Sequence, residues 1–238
     1  ENMEISQLKG DDYLQQYRNI SAKLKKRFLR KPNVAEASEE FSSLERTLVD
    51  SEVWTGAGLC CIAVARCHKT LANAQAEADA ITQAARYYDK AEHASRSILC
   101  PSFGDHLLTS SSCYRRAIAL HTAPAAETAQ YANTAGADAA SNDTQDSEQT
   151  LLSGSNTTAA ALSLELAISV EKCDRCSEAL PSLQSAAELL QGCPVQQLYV
   201  LEHLQHCYIL LGDLDGALKT SVTMMATAWL QQHNNSNN

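Results

Sequence analysis

Two cysteines separated by two residues form the motif with the clearest potential for metal or redox chemistry. Cys173 and Cys176 enclose an Asp-Arg pair, a spacing found in zinc sites and in thiol–disulfide enzymes. Zinc needs four ligands, and no second cysteine pair follows at a usable spacing. A redox enzyme of this kind needs a βαβ context that the sequence lacks. We therefore predict that both thiols pack as small apolar side chains, with metal or redox chemistry as the less favoured alternative.

A second candidate ligand group lies further along the chain, where His203, His206 and Cys207 fall close together on a predicted helix. The sequence fixes no acidic or thiol partner that would complete such a site, so we predict no metal-binding residue. It also contains no Gly-x-Ser-x-Gly motif, no Gly-x-x-x-x-Gly-Lys phosphate loop and no Gly-x-Gly-x-x-Gly. We predict no catalytic residue and no cofactor, and therefore a protein that is not an enzyme.

A basic segment near the start of the chain is the strongest candidate binding feature. It holds six of the 19 basic residues, and the remaining 13 stand against 28 acidic ones, a net charge of −15 outside the segment. A solvated helix face, a nuclear import signal, an RNA contact and docking into an acidic groove of a partner are alternatives that these residues leave open. The candidate partner-binding residues are Lys23, Lys25, Lys26, Arg27, Phe28, Leu29, Arg30 and Lys31.

The overall composition argues against several other classes of protein. A net charge of −9 does not suit a nucleic-acid-binding domain, which needs a basic surface. The apolar run that includes residues 58–65 spans 10 residues, from Gly56 to Ala65, far below the roughly 20 that span a bilayer, so we predict no membrane insertion. Nine cysteines without regular spacing, and no visible leader peptide, favour a reduced, cytoplasmic protein.

The elements that must position these residues are predicted to be helices. The chain has 36 alanines but only 9 glycines and 5 prolines, and Ala loses no side-chain entropy in a helix. Asn33 and Glu36 resemble a capping box at the start of the second helix. Apolar periodicity predicts a first helix from residue 11 or 12 to Pro32 and a second helix that begins after Asn33. It predicts further helices over about 54–71, 76–99, 104–121, 158–171, 177–191, 194–211 and 213–230.

Two polar segments divide these helices into two groups. Residues 123–157 are rich in Ala, Thr, Ser, Asn and Gln without a sustained period, and residues 231–238 are similar. Such segments bury too little apolar surface to offset chain entropy. We therefore predict an N-terminal group of helical hairpins over 1–122, a disordered insertion over 123–157, a second group of hairpins over 158–230 and a polar tail.

The last four helices contain a sequence repeat of 38 residues. Aligning Ala179 with Ala217 also pairs Asp174 with Gly212, and the second copy resembles a tetratricopeptide repeat. Gly212 can adopt the positive φ of a tight turn, and Ala217 lets two helices approach closely. We predict an all-α superhelix of tetratricopeptide-like hairpins, an α-solenoid; an ordinary helical bundle with one glycine turn is the alternative.

One stretch of the sequence resembles a known family. Residues 23–37, Lys-Leu-Lys-Lys-Arg-Phe-Leu-Arg-Lys-Pro-Asn-Val-Ala-Glu-Ala, look like a signature of the forty-kilodalton huntingtin-associated protein family. Supporting matches occur at residues 63–67, 84–86, 99–101 and 162–167. The similarity covers most of residues 11–230 apart from the insertion, and corresponds to the N-terminal portion of that family.

The resemblance implies a function that the residues alone do not. It implies a helical scaffold that binds huntingtin, a HEAT-repeat protein, one to one, and that links huntingtin to early endosomes through a Rab GTPase. It also implies a cytoplasmic and early endosomal location, with the nucleus as a further one. The alternative is an independent helical-repeat adaptor that binds short peptides or a GTPase without huntingtin.

The apolar helix over 54–71 and the Phe28–Leu29 edge lead to a further expectation. Both offer more hydrophobic surface than one thin layer of hairpins can cover. We therefore expect these two features to carry the uncovered hydrophobic surface, and the chain to depend on its partner for stability.

Overall fold

All the regular structure that can be described in this chain is α-helical. A computed structural model describes residues 2–25, 33–98, 104–123 and 145–236. The helices in these ranges are α1 (Asn2–Leu24), α2 (Val34–Asp50), α3 (Trp54–Thr70), α4 (Ala74–Ser97), α5 (Asp105–Thr122), α6 (Gln145–Glu171), α7 (Cys176–Leu189), α8 (Pro194–Leu210) and α9 (Leu214–Ser236). No strand occurs in them, so the all-α prediction is confirmed.

The chain divides into two compact units, Glu1–Ala139 and Ala140–Asn238. The first contains α1 to α5 and the second contains α6 to α9. Within each unit, the extensive helix–helix contacts of the described residues all join helices that are consecutive in the sequence. Each unit is therefore a succession of helical hairpins, as in α-solenoids, and the predicted hairpin architecture is confirmed.

Four of the turns between helices share one backbone geometry. In each, a single residue takes a left-handed conformation: Glu52 (φ 57°), Ala72 (57°), Asp174 (61°) and Gly212 (74°). The following residue donates its N–H to the carbonyl five positions earlier, in the pairs Val53–Leu48 (2.8 Å), Asn73–His68 (3.0 Å), Arg175–Val170 (3.2 Å) and Asp213–Tyr208 (2.9 Å). This Schellman pattern closes the helix and turns the chain back against it.

The 38-residue repeat is confirmed at these turns. Asp174 and Gly212, which the alignment pairs, are the two left-handed residues among the described residues of the second unit. Ala179 and Ala217 are both buried, as the close approach of two helices requires. The alignment overlooks Gly216, where an added Cβ would lie 2.7 Å from Cδ1 of Tyr208. The small size of Gly216 and Ala217 therefore allows α9 to pack close to α8.

The predicted cap at the start of α2 is also confirmed. The side-chain oxygen of Asn33 accepts a hydrogen bond from the Glu36 N–H at 3.3 Å, and its amide donates to Glu36 Oε2 at 3.0 Å. Asn73 caps α4 in the same manner, accepting from the Ala76 N–H at 3.1 Å. These caps satisfy helix N–H groups that have no partner within the helix.

The apolar third helix is covered within its own unit, so the expectation that it leaves a large hydrophobic surface is wrong. α2 packs on one side of α3 and α4 on the other. Its buried residues include Ala57, Cys60, Val64 and Cys67. The residues that remain exposed near its end are mainly polar, because Arg66, Lys69 and Thr70 occupy the solvent side.

Three helices extend further than their sequence patterns predict, and the first of them, α1, begins at Asn2 rather than at residue 11 or 12. α6 begins at Gln145 rather than near Thr158, so its first turns lie within the segment predicted to be disordered, and α9 continues to Ser236 rather than ending near Leu230. Once a buried stretch such as Ala159–Val170 has formed a helix, adding residues to its end is far easier than nucleating a new one. Residues 124–144 lie outside the described residues, and the unit boundary after Ala139 falls among them.

We predict that Gly212→Ala destabilises the chain by about 1 kcal/mol, because a Cβ is disfavoured at positive φ. No atom lies within 4 Å of the site where that Cβ would be built, so the effect is conformational. Gly192→Ala is the matched control, since its Cβ also meets nothing within 4 Å and its φ is not left-handed. Urea unfolding of both variants measures the difference, and equal midpoints for the two would contradict the prediction.

Candidate functional site

The basic segment is described at its first residues only. The Lys23 ammonium forms an ion pair with Glu40 on α2 and donates a hydrogen bond to its carboxylate. This hydrogen bond raises the pKa of Lys23. Lys25 is exposed just after α1. Lys23 therefore also ties α1 to α2. The other predicted binding residues, Lys26, Arg27, Phe28, Leu29, Arg30 and Lys31, lie outside the described residues, so their role stays a prediction.

The Cys-x-x-Cys pair lies at the junction of α6 and α7. Cys173 is buried and Cys176, the first residue of α7, is partly exposed. Neither forms a disulfide bond. In the repeat, Cys176 occupies the position of Leu214, which begins α9. The buried position of Cys173 suits the predicted packing role.

A carboxylate that the sequence analysis missed organises the neighbouring polar side chains. Glu171, the last residue of α6, accepts a hydrogen bond from the Cys207 thiol at 2.7 Å, and its other oxygen lies 3.3 Å from Nδ1 of His203. Burial and then this hydrogen bond raise the pKa of the Cys207 thiol, so it stays protonated. Glu171 thus links α6 to α8 through two side chains.

These groups do not form a metal centre. In the described part of the chain, no group of three or more His, Cys, Asp and Glu side chains could hold a metal ion. His203 and Cys207 are instead engaged by the same carboxylate, and His206 is exposed. The described helices also include none that is long and apolar enough to cross a membrane.

The most distinctive surface of the described chain is an apolar stripe on α9. We define it as Leu214, Leu218, Val222, Met225 and Trp229, whose spacing of three and four residues places them on one helix face. Each is at least 54% exposed. The adjoining face of α9, with Ala217 and Thr220, is buried, and α8 is the helix that packs extensively against α9. The stripe therefore faces away from the hydrophobic core of its unit.

The stripe is part of a strongly uneven distribution of apolar surface. Among the described residues, eleven of the fourteen exposed large apolar side chains lie between Val195 and Leu230, on α8, α9 and the turn between them. The first unit contributes Leu71, Ile98 and Leu108. Exposed apolar surface of this extent is typical of interaction sites.

A signal for the stripe was present in the sequence. Five apolar residues recur at helical spacing over 214–229, and the buried Ala217 and Thr220 lie between them on a neighbouring face. An apolar face of this length, beside a separate face of small side chains, indicates that the helix packs on two sides. What the sequence cannot show is that only one side is covered.

Comparison with known proteins agrees with the family resemblance of residues 23–37. The chain is 36% identical over 220 residues to the 40-kDa huntingtin-associated protein of Rattus norvegicus, and equally to that of Mus musculus. These alignments cover 91% of the chain and 50% of each relative. The chain thus spans about half the length of the curated relatives it matches. No family model matches it.

We predict that Cys173→Ser combined with Cys176→Ser lowers stability modestly, by on the order of 1–3 kcal/mol for the buried site, because a hydroxyl is less easily buried than a thiol. Chemical unfolding measures this loss. Zinc content of the purified protein provides the decisive comparison. Stoichiometric zinc that disappears in the double variant would show that the pair binds metal.

Proposed function

Because the chain is homologous to the 40-kDa huntingtin-associated proteins along most of its own length and about half of theirs, we propose that it is a scaffold subunit that binds huntingtin. The homology is the observation that carries this proposal. The fold supports it, since stacked helical hairpins provide extended surface for a partner. In the proposed complex, one copy of the chain binds one copy of huntingtin.

The α9 stripe is the surface that we propose to contact the partner. Its five side chains are more than half exposed. Burying the exposed part of each one in an interface contributes about 1 kcal/mol to the binding free energy. Large apolar side chains at the centre of an interface supply most of its affinity. A partner with its own apolar helix faces, such as a HEAT-repeat protein, matches this surface in chemistry.

The basic segment supplies orientation in this proposal. Lys25, Lys26 and Arg27 belong to a local concentration of positive charge in a chain whose net charge is −9. Such a segment meets an acidic surface of the partner, which favours one register of docking and raises the association rate. The attraction is screened by salt, whereas that of the stripe is not.

We further propose that the complex is linked to early endosomes through a Rab GTPase. The family resemblance supports this step. A cytoplasmic protein of this kind would reach the endosome through its partners. A Rab pull-down in the GTP and GDP states, with and without huntingtin, tests the link directly.

We predict that co-expression with huntingtin yields a one-to-one complex in which the chain melts at a higher temperature than alone. A partner that binds only the folded state stabilises that state by mass action. Size-exclusion chromatography with light scattering gives the stoichiometry, and thermal unfolding gives the shift. If the chain alone is monomeric and melts cooperatively at the same temperature with or without huntingtin, it is not an obligate subunit.

We predict that Leu218→Lys combined with Met225→Lys weakens huntingtin binding at least tenfold, about 1.4 kcal/mol, because two charges then interrupt the stripe. Thr223→Lys combined with Thr227→Lys is the matched control, since neither position is three or four residues from a stripe residue, and Thr223 is exposed and Thr227 partly exposed. Pull-down titration with huntingtin compares the two variants, after helicity and thermal unfolding have shown that both are folded. Equal losses in the two variants would exclude the stripe from the interface.

A further inference from the structure

A groove in the first unit has features that huntingtin association does not explain. It lies between α3 and α5, with α4 forming its floor, and encloses about 560 Å³. The apolar part of its lining includes Ile62, Ile81 and Leu108. Leu108 is 66% exposed, so one apolar side chain is offered to an occupant of the groove.

The floor of the groove carries a buried carboxylate that is only half satisfied. Glu77 on α4 is 1% exposed and lines the groove. One of its oxygens, Oε1, forms an ion pair with Arg116 of α5. The other, Oε2, is buried and has no hydrogen-bond partner. Leaving a buried charged acceptor unpaired is costly. A hydrogen-bond donor in the groove that displaces the side chains covering Oε2 would remove this cost.

Positive charge surrounds this carboxylate. Arg66 and Lys69 are exposed on the α3 wall, and Arg116 lies on the α5 wall. Together with Glu77 these residues give the groove a net charge of +2, in a chain whose net charge is −9. A charge opposite to that of the whole chain attracts an anionic ligand to this groove.

The occupant must therefore combine three chemical properties. It needs carboxylates for Arg66 and Lys69, a hydrogen-bond donor for Glu77 and an apolar group for Leu108. A polypeptide supplies all three, because its backbone carries N–H donors between side chains. A nucleic acid backbone has no such regular donor and would bring phosphates towards the Glu77 carboxylate. The α5 wall from Leu108 to Arg116 is about 12 Å long at helical rise, which matches three to four residues of extended peptide.

We propose that this groove binds an extended acidic peptide segment of another protein. A backbone N–H of the peptide donates to Glu77 Oε2, its carboxylates pair with Arg66 and Lys69, and an apolar side chain packs on Leu108. This function goes beyond the association with huntingtin and does not depend on it.

Fluorescence anisotropy with a labelled peptide tests the proposal. The probe is fluorescein-Asp-Glu-Leu-Asp-Glu-Leu, and its partner probe replaces every Asp by Asn and every Glu by Gln. The full chain is used alone, or as its co-purified complex with huntingtin. We expect the acidic probe to bind at least tenfold more tightly than the neutral one, about 1.4 kcal/mol, and to weaken as salt is raised.

A pair of variants separates the groove from general electrostatics. Arg66→Glu combined with Lys69→Glu reverses two exposed wall charges and should weaken binding of the acidic probe at least tenfold. Arg46→Glu combined with Arg115→Glu makes the same change in net charge at exposed positions outside the groove lining, and should change binding less than threefold. Circular dichroism establishes that each variant is folded.

Three results would overturn the proposal. They are no binding of the acidic probe at about 1 mM, equal binding of the two probes, and equal losses in the two variants. Displacement of the acidic probe by a single-stranded DNA oligonucleotide at matched charge would assign the groove to polyanions instead. None of these measurements uses huntingtin binding as its readout, so a failure here leaves huntingtin association to be judged by co-expression.

Discussion

The left-handed turn that ends four of the helices is the constraint on which the rest of the structure depends. At Glu52, Ala72, Asp174 and Gly212 a single residue reverses φ, and the next N–H returns to the carbonyl five positions earlier. So short a connection leaves the following helix no place to pack except against the one just completed. The extensive contacts of the described residues consequently join neighbours in sequence. Each unit is therefore a stack of helices, and the helix at the end of a stack has a neighbour on one side only.

The position of a helix in the stack decides what its apolar residues do. α3 has a neighbour on both sides, so a helix that is apolar almost all round becomes core. Among the described helices, α9 has an extensive neighbour on one side only, and its apolar stripe stays exposed on another side. Hydrophobicity alone does not distinguish these two cases, which explains why the sequence analysis assigned the exposed surface to α3. The distinction depends on which helices have partners, and that is a property of the tertiary structure.

Much of the fold could be predicted from local sequence signals. The signals were alanine content, apolar periodicity, the Asn33 cap and the turn at Gly212. Each acts within a few residues, and the structure contains the helices, the cap and the turn that they predict. The turns at Glu52 and Ala72 were missed because neither residue is a usual left-handed one. The contacts of Glu171 with Cys207 and of Glu77 with Arg116 join residues more than 30 positions apart. No local pattern specifies such pairs, so the groove and the Glu171 cluster had to be seen in three dimensions.

The two proposed surfaces use different physical interactions, and this difference suits a scaffold. The stripe on α9 binds through apolar area, so its affinity depends little on salt and requires a partner surface of matching shape. The groove of the first unit binds through charge and one unsatisfied carboxylate, so it selects by composition and is weakened by salt. An apolar surface that must be covered favours a stable complex, whereas a charged groove of about 560 Å³ accommodates a short segment that exchanges readily. A chain of stacked hairpins can thus hold one partner firmly while it contacts another transiently.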